Sequence, residues 1–262
     1  MGTKATYEQE GRLSRAVRNL VDKSVVGVLD IEAVIGQVQQ ISDGKFAVAA
    51  NLPDWYVSPE LRLAQARQLN KQRKWGFKEA DFPSVPEDTT KLWLLVVNLP
   101  GKGGKAALQR TVDDKWDLIE APAGYTKYRS SELLTDPDHL RLAPGYDFTT
   151  GVYWVEFDPD TYQGKSPEVA LKQADDNSER LAGTEVLDAI WQFPDWSLTW
   201  FRSGKPAPNL SGLQFRWDDG TVWSSVLYVL RWDVSRELKL HARWAGHGSS
   251  FWASPRVSGV RN

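Results

Sequence analysis

Asp219-Gly220 ties this chain to one kind of structure more tightly than any other feature of it. A two-residue reversal between antiparallel strands needs positive φ at its central positions, which Asp tolerates and Gly adopts freely. Taken as that turn, the pair sets Trp217 opposite Val222, Arg216 opposite Trp223, Phe215 opposite Ser224 and Gln214 opposite Ser225. One face then collects Leu213, Phe215, Trp217, Val222, Val226, Tyr228, Leu230 and Trp232. A second reversal near Val234 to Arg236 returns Leu238, Leu240, Ala242 and Trp244 to the same face. A slip of one residue would turn every side chain over, so the alternation predicts an antiparallel meander with one buried face.

The opposite face of that meander carries Arg216, Trp223, Arg231, Lys239, His241 and Arg243. Arg216 is within cross-strand reach of Trp223 and predicts a cation–π pair. Several cations beside an indole are what a sheet needs to hold phosphates and stack a base. Two features favour a plainer reading. Asp218, Asp219, Asp233 and Glu237 at the strand ends can balance the cations, and Leu227 and Val229 in the middle of the face predict partial cover by a helix.

Upstream, the pattern changes from period two to helical spacing. Leu13, Ala16, Val17, Leu20 and Val21 form one stripe, and Ile31, Val34, Ile35, Val38 and Ile41 a second behind an Asp30 cap. Ser58-Pro59 starts a third helix running to about Trp75, with a basic end at Lys71, Arg73 and Lys74 that suits the helix dipole. Phe82-Pro83-Ser84-Val85-Pro86 marks a linker, so residues 1–81 read as a helical region that can pack onto a main α+β domain of residues 87–262. Within the latter, Lys91 to Asn98 and Gly151 to Asp158 read as strands. Lys105 to Glu120, a short segment at Asp136-Pro137, the segment after Ser166-Pro167 and one ending at Pro194 read as helices. The fold class is α+β: a helical amino-terminal region, a mixed middle segment, and a carboxy-terminal antiparallel meander packed on helices by one face.

Composition narrows the chemistry. With no cysteine, thiolate nucleophiles, cysteine-ligated zinc, iron–sulfur clusters and disulfide scaffolds are all excluded. A net charge of −2 argues against indiscriminate coating of DNA, though a local basic patch would not show in the total. Thirteen tryptophans against one methionine imply either a rigid indole-filled core or a stacking platform for a sugar, a base or another planar ligand. Residues 1–20 are charged throughout, and the longest apolar run, Leu92 to Val97, is far short of the roughly 20 residues of a spanning helix. These features set the expectation of a cytoplasmic protein with no membrane partner.

Three further groups are candidates. By period two, Glu156 and Asp158 share a face at the end of the second strand, with Asp160 just beyond. Hard carboxylate oxygens at a strand end can hold a magnesium or manganese ion, and Asp-Pro-Asp is equally a turn initiator. Asp158-Pro159-Asp160 resembles, over those three residues, the metal and sugar-nucleotide motif of glycosyltransferases. Gly101-Lys102-Gly103-Gly104-Lys105 sits between a strand and a helix as a phosphate loop would, but Leu99 and Ala106 stand where the P-loop needs Gly and Ser or Thr. His139, His241 and His247 could form a metal site only by distant convergence. No Gly-x-Ser-x-Gly, His-Glu-x-x-His or Gly-x-Gly-x-x-Gly occurs. Two functions from different classes follow. One is a non-enzymatic binding protein whose basic sheet face takes an anionic or aromatic-containing ligand such as single-stranded nucleic acid. The other is a metal-dependent transferase or hydrolase built on Glu156, Asp158 and Asp160.

Overall fold

The computed structural model describes residue 35 and residues 52–53, 55–88, 90–101, 104–130, 139–197, 206–216 and 223–261. The two amino-terminal helical stripes (residue 35 apart), the helix expected at Asp136-Pro137 and the Asp219-Gly220 turn lie outside the described residues.

Helix α1 (Pro59–Arg73) begins at the expected Ser58-Pro59 and ends where Lys74 turns left-handed at φ 54°. It packs on strand β1 (Trp93–Asn98), whose six residues are all buried. Leu63, Ala66 and Trp75 thereby join the same core as the strands that follow. Gly101 lets the chain leave β1 tightly: a Cβ there would lie 2.6 Å from Ala107 of helix α2 (Gly104–Leu118). Strands β2 (Thr126–Arg129), β3 (Leu140–Leu142) and β4 (Gly151–Asp158) come next. Ser166 then caps helix α3 (Pro167–Asp176), its hydroxyl accepting from Val169 N at 3.3 Å. Strand β5 (Arg180–Leu181) leads into helix α4 (Glu185–Gln192), which stops before Pro194. Strands β6 (Ala207–Phe215), β7 (Ser225–Trp232), β8 (Glu237–Trp244), β9 (Trp252–Ala253) and β10 (Arg256–Arg261) complete the chain.

Two sheets result. The smaller has the order β1-β4-β10-β5 with every pairing antiparallel. The larger runs β2-β8-β7-β6-β3, with β9 also pairing β6. Its β6-β7-β8 core is the antiparallel meander read from the sequence. The α+β class and the closing meander are therefore as expected. The edges β2 and β9 are additions to the meander, and each pairs parallel to its neighbour.

The facing of the middle strand is corrected. Trp232 pairs Glu237, so the second reversal has four residues, Asp233 to Arg236, with Arg236 at φ 51°. That count places Leu227 opposite Ala242 and Val229 opposite Leu240. These four, with Leu238 and Leu210, face the core. Val226, Tyr228, Leu230 and Trp232 point the other way, the reverse of the sequence reading. Trp244, also expected inside, is 64% exposed at the end of β8. At the other reversal Phe215 pairs Ser225 and not Ser224, and the β6–β7 register shifts again between Leu210 and Phe215. Gly212 sits in that irregular stretch, where β6 crosses the end of β5 and its N–H donates to Ala182 O at 3.0 Å.

Candidate ligand-binding face

With the phase of β7 settled, the side of the large sheet turned away from the core can be read strand by strand. On β8, Lys239, His241 and Arg243 alternate with the buried Leu238, Leu240 and Ala242. Opposite them on β7 stand Leu230, Tyr228 and Val226. Tyr128 of β2 pairs Lys239 on one flank, and Trp252 of β9 lies on the other side of Tyr228. The result is a row of rings across adjacent strands. Tyr128 and His241 are near-parallel at 17° with centroids 6.4 Å apart, His241 and Tyr228 at 28° and 5.8 Å, and Trp252 meets Tyr228 edge-on at 4.8 Å. Trp232 and Tyr128 are 45% and 39% exposed, and the other rings of the row are half-buried.

The cations lie over this row. The Lys239 ammonium is 5.3 Å from the Tyr128 ring and 5.6 Å from Trp232, and it pairs with Glu237 at 3.0 Å. The Arg243 guanidinium sits 4.4 Å over Trp252 and donates to the carbonyl of His247. Burial lowers the Arg243 pKa, and the nearby Tyr228 hydroxyl opposes that shift. Burial likewise raises Tyr228. A guanidinium stacked on an indole is less hydrated than a free one, which suits it to pairing with an anion.

The remaining residues of the expected basic face divide. Arg216 and Trp223 form the expected cation–π pair at 5.2 Å, and Arg141 of β3 joins them 4.3 Å from the same ring. Arg141 is steadied by two bonds to Gln214 Oε1, at 2.9 and 2.7 Å. This group stands at the hairpin end of the meander. Arg231 does not belong with the rest: pairing Leu238, it points to the core side, where it stacks on Tyr125 at 4.3 Å, donates to the Tyr125 hydroxyl at 2.8 Å and forms an ion pair with Asp233 at 3.3 Å. Leu227 and Val229, expected within the basic face, are core residues. Tyr128, Tyr228, Trp232 and Trp252 were not among the candidates. Tyr228 and Trp232 follow once the second reversal is counted as four residues, whereas Tyr128 and Trp252 arrive on separate strands and leave no local sign.

The carboxylate group occupies different ground. Glu156, Asp158 and Asp160 line one cleft of about 490 Å³ with Trp55, Trp196, Lys91 and Arg256. Lys91 pairs with Glu156 at 2.7 Å, Arg256 reaches Asp158 at 3.4 Å, and Asp160 N donates to Asp158 Oδ1 at 3.4 Å. Cations thus already neutralise the first two carboxylates. Among the described residues no three His, Asp or Glu side chains are disposed to hold a metal ion, the histidines included.

One polar cluster escaped the sequence reading altogether. Lys115 of α2 and Asp188 of α4 form an ion pair with both side chains buried, and Asn98 Oδ1 lies 3.0 Å from the ammonium. Asn98 Nδ2 donates to the Tyr153 hydroxyl at 2.9 Å, and Trp191 Nε1 donates to Asp188 Oδ1 at 3.1 Å. The neighbouring Glu185, though burial works to raise it, is held below the ordinary carboxylate range by Arg180 and Lys115. The cluster joins β1, α2 and α4 in the centre of the core.

Compared with protein-family models, with curated proteins and with solved structures, the chain matches none. No helix among the described residues is long and apolar enough to cross a membrane.

Proposed function

We propose that this is a non-enzymatic cytoplasmic binding protein whose ring-bearing sheet face takes single-stranded nucleic acid. The observation that carries the reading is the ring row Tyr128–His241–Tyr228, laid across three adjacent strands and flanked by Lys239 and Arg243. Bases stack on such a row whatever their identity, because every base has a π-face, while the cations meet the phosphates between them. A sheet offers this arrangement at low entropic cost, since backbone pairing already fixes the spacing of the rings. Arg141, Arg216 and Trp223 extend the same chemistry toward the hairpin end.

Fluorescence anisotropy with a labelled 20-nucleotide single strand at about 50 mM NaCl tests this. The full chain should bind it, and Tyr128→Ala and Arg243→Ala should each weaken binding by roughly 5- to 150-fold, in line with 1–3 kcal/mol per stacked base. Trp223→Ala and Arg216→Ala should weaken it less, because the Trp223 ring is already covered by two guanidinium groups. Absence of binding at that salt concentration, or unchanged binding by Tyr128→Ala and Arg243→Ala, would refute the proposal.

A further inference from the structure

At the β9 flank of the ring row stands a side chain with no partner of its own. Asn209 of β6 pairs Tyr228 and so shares its face of the sheet. It is wholly buried, and among the described residues neither its Nδ2 nor its Oδ1 has a hydrogen-bond partner. An enclosed amide in that state costs free energy comparable to one or two lost hydrogen bonds, so a sequence free to choose would place an apolar residue there. The neighbouring polar groups do not relieve it: Ser211 and Ser254, both buried, bond each other at 2.8 Å. A second unsatisfied donor lies on the same face, the enclosed Nη1 of Arg243. The half-buried rings of Tyr228 and Trp252 meet edge-on at 4.8 Å beside them, with the Arg243 guanidinium over the indole.

We propose that Asn209 is a base-reading position, selective for adenine, at the end of the stacking row. This rests on the nucleic-acid reading above and deepens it. An asparagine amide offers a donor and an acceptor side by side, the complement of the N6 and N7 edge of adenine. The Tyr228–Trp252 corner supplies aromatic walls for a purine, and Arg243 is placed for the adjoining phosphate. Burial of the amide excludes competing water until a base enters, which gives the contact its discriminating power.

Anisotropy titrations of the full chain with labelled dA12 and dT12 test the inference. The wild-type protein should prefer dA12 by roughly tenfold, the size of one bidentate base contact. In Asn209→Ala the ratio of the two affinities should fall to near one, and Asn209→Ser, which keeps a small polar group, serves as the folding control and should also lose the preference. Equal wild-type binding of the two strands would overturn the base-reading role and leave the nucleic-acid reading standing. So would a preference retained in Asn209→Ala, which would mean that the amide merely holds an enclosed water. If neither strand binds the wild-type chain, the nucleic-acid reading itself fails and this inference falls with it.

Discussion

Lys115 occupies a position that its own helix reserves for an apolar side chain. Leu108, Thr111, Val112 and Trp116 surround it on one stripe of α2, with Ile119 just past the helix end, and all are buried. A charge on that stripe is the one mark of the central cluster visible in the sequence. Its partner lies 73 residues away in another buried helix, and no local pattern connects the two. Burial pushes the Asp188 carboxyl up to about 7, against the pull of Lys115 and the hydrogen bond from Trp191. In an unfolded chain the same group titrates near 4. Between those values the folded state holds a proton that the unfolded state has released, so this residue's contribution to stability falls as pH rises through the window. Urea unfolding of the wild type and Asp188→Asn from pH 4 to 8 should show the difference between them moving in the variant's favour up to about pH 7 and then levelling. Parallel curves would mean that Asp188 stays ionised in the folded protein throughout. Lys115→Met removes one member of the buried pair, and at pH 8 it should cost about 3–5 kcal/mol by the same measurement.

At the scale of elements, the legible parts were those whose signals are local. Ser58-Pro59 and Ser166-Pro167 gave helix starts, Pro194 a stop, and the continuous apolar run Leu92 to Val97 a strand buried on both faces. The facing of β7 was not legible, because it depends on the length of a reversal and not on composition. Asp233 to Arg236 is closed by a left-handed arginine, with no Gly or Asn to announce it. Setting Phe215 against Ser224 at one end and counting three residues instead of four at the other inverts β7 while leaving β6 and β8 correct, and that decided which aromatics were read as facing the core. How the sheets are finished was equally hidden. Gln192 of α4 completes the free edge of β1 with its side chain, its Nε2 donating to Leu95 O at 2.5 Å and its Oε1 accepting from Leu95 N at 3.2 Å. Gln192→Leu keeps the volume but strands two buried main-chain groups, and should cost about 2–5 kcal/mol in chemical denaturation. Gly212 is constrained by backbone on two sides: a Cβ would lie 2.8 Å from Leu181 O and 2.9 Å from Gly183 N, where the two sheets meet. Main-chain atoms there cannot move independently, so Gly212→Ala should cost about 1–3 kcal/mol, read as a fall in melting temperature. An unchanged melting temperature would show that the sheets slide past each other freely at this crossing.

For the molecule as a whole, the proposed binding requires a chain of net charge −2 to hold a polyanion. What would permit this is where the charges sit. Lys239 and Arg243 stand within the ring row, Arg141 and Arg216 at the hairpin end, and the carboxylates of the cleft are matched by Lys91 and Arg256 elsewhere. Four cations along one face meet at most about four phosphates, so log K should fall against log salt with a slope near −3, at about −0.7 per phosphate on a single strand. Under the proposal, affinity at physiological salt should then come largely from stacking, which salt does not screen. The two contributions can be separated by their response to ionic strength. Arg243→Ala should make the slope shallower by about 0.7, because one phosphate contact is gone. Tyr128→Ala should lower affinity at every salt concentration and leave the slope as it was. Lys239 is intermediate: it must exchange Glu237 for a phosphate, so Glu237→Gln should strengthen binding at low salt by freeing the ammonium. If Tyr128→Ala and Arg243→Ala shift the salt line identically, the rings do not stack bases, and the face binds through charge alone.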